Sequence, residues 1–254
     1  MPRILTYNVH RCLGPDGQLS PRRIVRVIAA CKPDIVALQE LDVGRQRTGQ
    51  VDQARLIAHE LGMSFHFQPA IHVHEEKFGD AILTQYPCKL MKAGLLSGRG
   101  WLPGVEARGA LWVSVKLDGV EVQVINTHLG LLPGERRGQV KVLLGPDWLS
   151  HPQCRNPVLL VGDLNAVPQG RSCRRLGRRL GARWSRRRGG LPTFPSNFPV
   201  AKLDHIFAST DVKISAMEVI HTPLTRVASD HLPLIADFEL PRPERAPSKG
   251  KRSH

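Results

Sequence analysis

Six apolar, β-rich runs of this chain stop on, or start beside, a carboxylate, an amide or an imidazole, and any fold must place those groups. They are Asn8 in TYNVH, Glu40 in LQE, His128 in NTHL, Asp163 and Asn165 in GDLN, Asp204 in LDHIF, and Asp230 with His231 in SDHLP. Runs such as IVALQE and VLLVGD read as buried strands. The carboxylates that end them are then partly desolvated, which is costly unless they are paired or bind a metal ion. Taken singly, a strand-end aspartate is more often a turn or cap residue. Recurrence at one kind of position predicts instead that the strand ends converge.

The runs themselves set the fold class. Short β-rich stretches are predicted at Arg3 to Tyr7, Asp34 to Gln39, Phe65 to Ala70, Ala81 to Thr84, Ala110 to Leu117 and Val120 to Asn126. Asp118-Gly119 between the last two is a hairpin signal. Further strands are predicted at Pro157 to Val161, Leu203 to Ala208, Val212 to Val219 and Leu234 to Phe238. Helices are predicted after the N-cap Ser20, with Pro21 first and Pro33 as the stop; from Asp52 to Gly62; and over Gln139 to Leu149. Hairpins mixed with helical crossovers argue for packed sheets with helices outside; a doubly wound parallel sheet is the weaker alternative. Residues 1–240 are expected to form one domain, and the Pro-rich basic tail 241–254 is expected to be disordered.

In that order and at those spacings, TYNVH, LQE, NTHL, GDLN, LDHIF and SDHLP resemble the endonuclease/exonuclease/phosphatase superfamily. That group includes pancreatic-type deoxyribonucleases, abasic-site endonucleases, sphingomyelinases and inositol polyphosphate phosphatases. The resemblance implies an α+β fold, a four-layer α/β sandwich of two packed mixed β-sheets flanked by helices. It also implies hydrolysis of a phosphodiester or phosphomonoester with Mg²⁺, or with Mn²⁺, a cation that residue type does not separate from it. Glu40 is then the leading metal ligand, with Asn8 and Asp230 beside it. Asp163 is the implied base for the attacking water, and Asn165 orients water or phosphate. Asp204 and His231 match the carboxylate–imidazole couple, and His128 the second histidine, which donates to the phosphate or leaving group. Asp80 in FGDAIL stands where many relatives carry asparagine and is a candidate either for substrate contact or for holding His128. Arg108 in EARGAL is a candidate phosphate contact, because a guanidinium fork suits phosphate oxygens. The other histidines, His10 and His205 among them, read as structural or solvated.

Charge bears on the partner. Lys plus Arg exceeds Asp plus Glu by 36 − 22 = 14, which favours a polyanion: nucleic acid, an anionic lipid surface or a phosphorylated small molecule. After GDLN, Leu176, Leu180 and Trp184 recur every four residues, and Arg174, Arg175, Arg178, Arg179, Arg186, Arg187 and Arg188 would make a basic ridge on that helix. A solvated helix in an arginine-rich proteome is the plain alternative. The element TFPSNFPVAKLDHIF resembles a small bacterial branch of the superfamily, and only Tyr7 and Tyr86 are present, unlike the tyrosine-rich loops of abasic-site enzymes. The five cysteines form no C-x-x-C pair, and no run approaches the ~18 apolar residues of a membrane span. A monomer in the cytoplasm, at most peripheral to a membrane, is the expectation. Three functions stay open: a nuclease or phosphodiesterase, a lipid or small-molecule phosphoesterase, and an inactive binding module with the same basic surface.

Overall fold

Strand β1 (Arg3–Asn8) lies at the centre of the molecule, parallel to β2 (Ile35–Val43) on one side and antiparallel to β11 (Leu234–Glu239) on the other. The computed structural model describes residues 1–96, 106–181 and 191–241. The other elements are α1 (Pro21–Cys31), α2 (Gln53–Leu61), β3 (Ser64–Val73), β4 (Glu76–Thr84), β5 (Cys88–Leu95), β6 (Gly109–Leu117) and β7 (Val120–Thr127). They continue with α3 (Pro133–Leu143), β8 (Val158–Asp163), α4 (Arg171–Leu180), β9 (Asp204–Ala208), β10 (Lys213–Val219) and α5 (Thr225–Ala228). One sheet has the order β10-β11-β1-β2-β4-β3 and the other β5-β6-β7-β8-β9. Both are mixed, so the expected four-layer sandwich is what forms, and the doubly wound alternative is not.

Alternation along each strand divides the core in three. Ile4, Ile35, Ala37, Val113, Val124, Leu159 and Val161 fill the space between the sheets. Leu5, Val36 and Leu38 face α1 and α2, where Ile24, Ile28 and Ile57 are buried. On the far side Ile125, Val158 and Leu160 pack on Val140 and Leu143 of α3 and on Cys173 and Leu176 of α4. Strands β2 and β8 are covered on both faces, which is why Ile35 to Leu38 and Val158 to Val161 are unbroken apolar runs.

A polar bridge crosses the otherwise apolar space between the sheets close beneath the ends that carry Asn8, Glu40 and Asp163. Asn126 of β7 accepts from Gln39 Nε2 at 2.7 Å and donates to Leu38 O and Ala81 O, both at 2.9 Å. All of it is buried, so each lost partner leaves a desolvated group. Asn126→Ala is expected to cost about 3 kcal/mol, read from the urea midpoint.

Several local expectations are corrected. The helix predicted over Gln139 to Leu149 runs instead over Pro133–Leu143, because Gly145-Pro146 ends it and Glu135 Oε2 caps its start on Leu132 N at 3.0 Å. Trp148 and Leu149 are buried by the turns that follow. Strand β5 was not predicted, and β3 and β4 are longer than predicted. β2 continues through Glu40 to Val43 by way of a bulge between Leu38 and Leu41. Trp184, Arg186, Arg187, Arg188 and residues 242–254 of the tail lie outside the described residues. Among the described residues no helix is long and apolar enough to cross a membrane.

Candidate active site

The two central strands face each other, and their ends meet. Asn8 at the end of β1 donates through Nδ2 to Asp163 Oδ2 at the end of β8 (3.0 Å) and to Glu40 Oε1 (2.9 Å). Glu40 can point there because the bulge gives it a left-handed backbone, φ +62°, a conformation that non-glycine residues hold only when the surroundings impose it. Antiparallel pairing of β8 with β9 sets Asp163 opposite Asp204. Asn165 also takes a left-handed φ of +46°, which asparagine tolerates, and its amide N–H binds Asp163 Oδ1 at 2.8 Å.

Two imidazoles approach the same carboxylate oxygen: His128 Nε2 at 3.5 Å and His231 Nε2 at 3.6 Å from Asp163 Oδ2. His231 Nδ1 is bonded to Asp204 Oδ2 at 2.8 Å. Burial disfavours its charge, but Asp204 and then Asp163 outweigh burial and raise the imidazole pKa, so this ring is an imidazolium at neutral pH. His128 is the opposite case. Burial first, then the charges of Arg108 and His231, lower its pKa well below the usual range and keep it neutral. Burial and the neighbouring Asp204 raise Asp163, against the pull of His231.

Arg108 Nη1 lies 3.1 Å from His128 Nδ1, and Nη2 lies 2.8 Å from Glu106 Oε2. Arg108 Nη1 at Nδ1 and Asn165 Nδ2 at Nε2 are both donors; the charged guanidinium at one nitrogen and Asp163 Oδ2 3.5 Å from the other favour the single ring proton of His128 on Nε2, pointing into the site. Asn165 Nδ2, 3.0 Å from that nitrogen, then directs its hydrogen bond to Leu129 O at 2.9 Å. For Asp80 two roles were open, substrate contact and holding His128. Among the described residues no hydrogen bond joins Asp80 to His128; Asp80 instead accepts from the Glu40 amide and faces Arg108. Burial pushes its pKa up to about 8 in spite of that arginine.

Asp230 sits on the rim, with Ser229 Oγ at 3.4 Å from its Oδ1 and His10 Nδ1 at 3.8 Å. Ser229 also donates to Asn8 O at 2.8 Å, tying this loop to the end of β1. Sequence reasoning missed His10, whose contact with Asp230 comes from three successive left-handed residues, His10, Arg11 and Cys12. It also missed Asn126 and the Phe194 ring, 4.9 Å from the ring of His231. The TFP element marked this position. Thr193 Oγ1 accepts from Asp204 N at 3.3 Å.

The donors suit a hard divalent cation, since Glu40, Asn8 and Asp230 offer oxygen ligands. Asp204 Oδ1 is buried without a hydrogen-bond partner among the described residues, an acceptor oxygen left open beside Asp163. Ligand atoms of Asp163, Asp204 and His231 lie within 4.8 Å of one another. Within that trio the Asp204–His231 contact is a hydrogen bond, and the charged imidazole opposes a cation.

His205, directly after Asp204, is buried with Nε2 at 2.8 Å from Ala166 O, and burial pushes its pKa down to about 4. The unfolded chain takes up the proton near pH 6.5 and the folded one only near 4, so the stability this group contributes is complete above 6.5 and is lost as pH falls toward 4. The native chain is expected to lose about 2 kcal/mol more than His205→Gln between pH 7.5 and pH 5 in urea unfolding.

A model of the Endonuclease/Exonuclease/phosphatase family matches residues 5–231. The fold is similar to that of a mannosyl-6-phosphatase from Bacteroides thetaiotaomicron VPI-5482, with 19% identity over 94% of this chain and 100% of that one, TM-score 0.75. It is also similar to an endonuclease/exonuclease/phosphatase from Beutenbergia cavernae DSM 12333, with 22% identity over 94% and 71%, TM-score 0.73. The human Nocturnin catalytic domain with bound sulfate anion shares 21% identity over 94% of both chains, TM-score 0.68. No curated protein matches the sequence. With the family model spanning nearly the whole described chain, this protein belongs to the endonuclease/exonuclease/phosphatase family.

Proposed function

We propose that this phosphoesterase hydrolyses phosphodiesters of nucleic acid with Mg²⁺ as its cation. The observation that carries the reading is the position of Asp163 Oδ2, within 3.6 Å of His128 and His231 and hydrogen-bonded to Asn8. Glu40, Asn8 and Asp230 would hold the cation, which when bound supplies positive charge to a non-bridging phosphate oxygen. Asp163, its pKa raised by burial, takes the proton of the attacking water as the new O–P bond forms and the ester P–O bond breaks. Asn8 and the Asn165 amide hold the two oxygens of Asp163 in one orientation. The His231 imidazolium, kept charged by Asp204, opposes the negative charge that builds up on phosphate. His128 Nε2–H donates to the departing oxygen, and Arg108 keeps the proton on that nitrogen. Arg108 therefore serves the phosphate through His128.

The net charge of +14 and the exposed arginines of α4 favour nucleic acid as the polyanion. All five cysteines are free, in keeping with a reducing cytoplasm. A second reading, a phosphomonoesterase acting on a small metabolite, is favoured by the similarity to the mannosyl-6-phosphatase. Relative kcat/KM on plasmid DNA, bis(p-nitrophenyl) phosphate and p-nitrophenyl phosphate in Mg²⁺ separates them. DNA cleavage that weakens steeply with salt supports the first reading; turnover of the monoester alone sinks it.

A further inference from the structure

Beside the site, between α3 and α4, lies a cleft of about 590 Å³, within the size range of small-ligand pockets. Arg136 and Arg137 line it from α3, Arg171 and Arg175 from α4, over an apolar floor that includes Val140 and Leu203. Asn165 is the join, since it lines the cleft and its Nδ2 lies 3.0 Å from His128 Nε2. Arg136 is anchored by donating to Gly130 O and Leu131 O, which fixes the guanidinium without neutralising it. Among the described residues Arg137, Arg171 and Arg175 have neither a carboxylate partner nor a hydrogen bond. Four like charges gathered round one concavity repel one another, and an anion between them offsets that repulsion.

We propose that this cleft is the subsite for the nucleotide that adjoins the scissile phosphate of a single-stranded nucleic acid. The neighbouring phosphate lies among the guanidinium groups, whose forks match its oxygens, and the sugar and base lie on the Val140–Leu203 floor. The proposal rests on the phosphodiesterase reading above. Concavity and the apolar floor favour a nucleotide over a lipid bilayer, which presents a flat anionic plane.

The test is fluorescence anisotropy of a labelled oligothymidylate in EDTA over a range of salt. The native chain is compared with Arg137→Gln/Arg171→Gln/Arg175→Gln, and folding is checked by circular dichroism. The triple variant is expected to bind at least tenfold more weakly, with a log–log salt slope shallower by about 2. If it misfolds, Arg137→Gln alone is expected to reduce the slope by about 0.7. Native affinity and slope in the folded variant, or no binding by the native chain, would overturn the proposal. So would loss of binding to phosphatidylglycerol vesicles with oligonucleotide binding intact, which would assign the cleft to lipid. Because EDTA stops metal-dependent turnover, the assay reads the subsite alone. A chain that binds as expected but hydrolyses no phosphodiester sinks the proposed function and leaves the cleft as a nucleotide-binding site with no scissile phosphate beside it.

Discussion

Asp163→Asn is expected to lower kcat/KM about 10³-fold on whichever phosphoester the protein turns over, while its thermal midpoint stays level or rises. The loss follows from geometry: Asp163 Oδ2 is the atom that Asn8, His128 and His231 share, and an amide in its place cannot take a proton from water. The stability sign follows from burial. A carboxylate whose pKa is raised by desolvation and by Asp204 destabilises the fold at neutral pH; the amide removes that cost, which offsets or exceeds the one hydrogen bond lost where its NH2 faces Asn165 N–H, while Asp204 and His231 remain paired. Initial rates and melting curves on the same preparation check both halves. Rates within tenfold of native would remove Asp163 from the centre of the mechanism.

Gly162→Ala is expected to cost about 4 kcal/mol or to prevent folding. Gly162 has φ +136°, and a Cβ there would lie 1.9 Å from Thr127 O, so β8 could not keep its place beside β7. Neither atom can yield cheaply, because both neighbours are backbone at the centre of a sheet. The displacement would also carry Asp163, the next residue, away from Asn8. A urea-unfolding loss under about 1 kcal/mol would mean that the strand end has room to move.

How much of this was legible in the sequence depended on what each signal measures. Strands covered on both faces announce themselves by their apolar stretches, Ile35 to Leu38 of β2 and Val158 to Val161 of β8. The carboxylate that follows or precedes such a stretch is then conspicuous, which is how Glu40, Asp163 and Asp204 could be singled out. Edge strand β5, CKLMKAGL, pairs on one side only with β6 and carries two lysines, so its pattern is weak. Apolar spacing drew α3 six residues too far, since Trp148 and Leu149 are buried by turns that have no helical period. Partners across space were the least legible. Asn126 reads as an ordinary strand residue, and nothing near Arg108 says that it faces an imidazole nitrogen 20 positions ahead.

The central claim is that a divalent cation held at Glu40 and the carboxylate of Asp163 together hydrolyse a phosphoester. It is tested most directly by turnover of bis(p-nitrophenyl) phosphate and plasmid DNA by purified protein in Mg²⁺, with and without EDTA, and by the same assay on Glu40→Ala. Hydrolysis that EDTA abolishes and that Glu40→Ala lowers at least a hundredfold is the predicted result. Hydrolysis undiminished in EDTA, or native rates in folded Glu40→Ala, would contradict it.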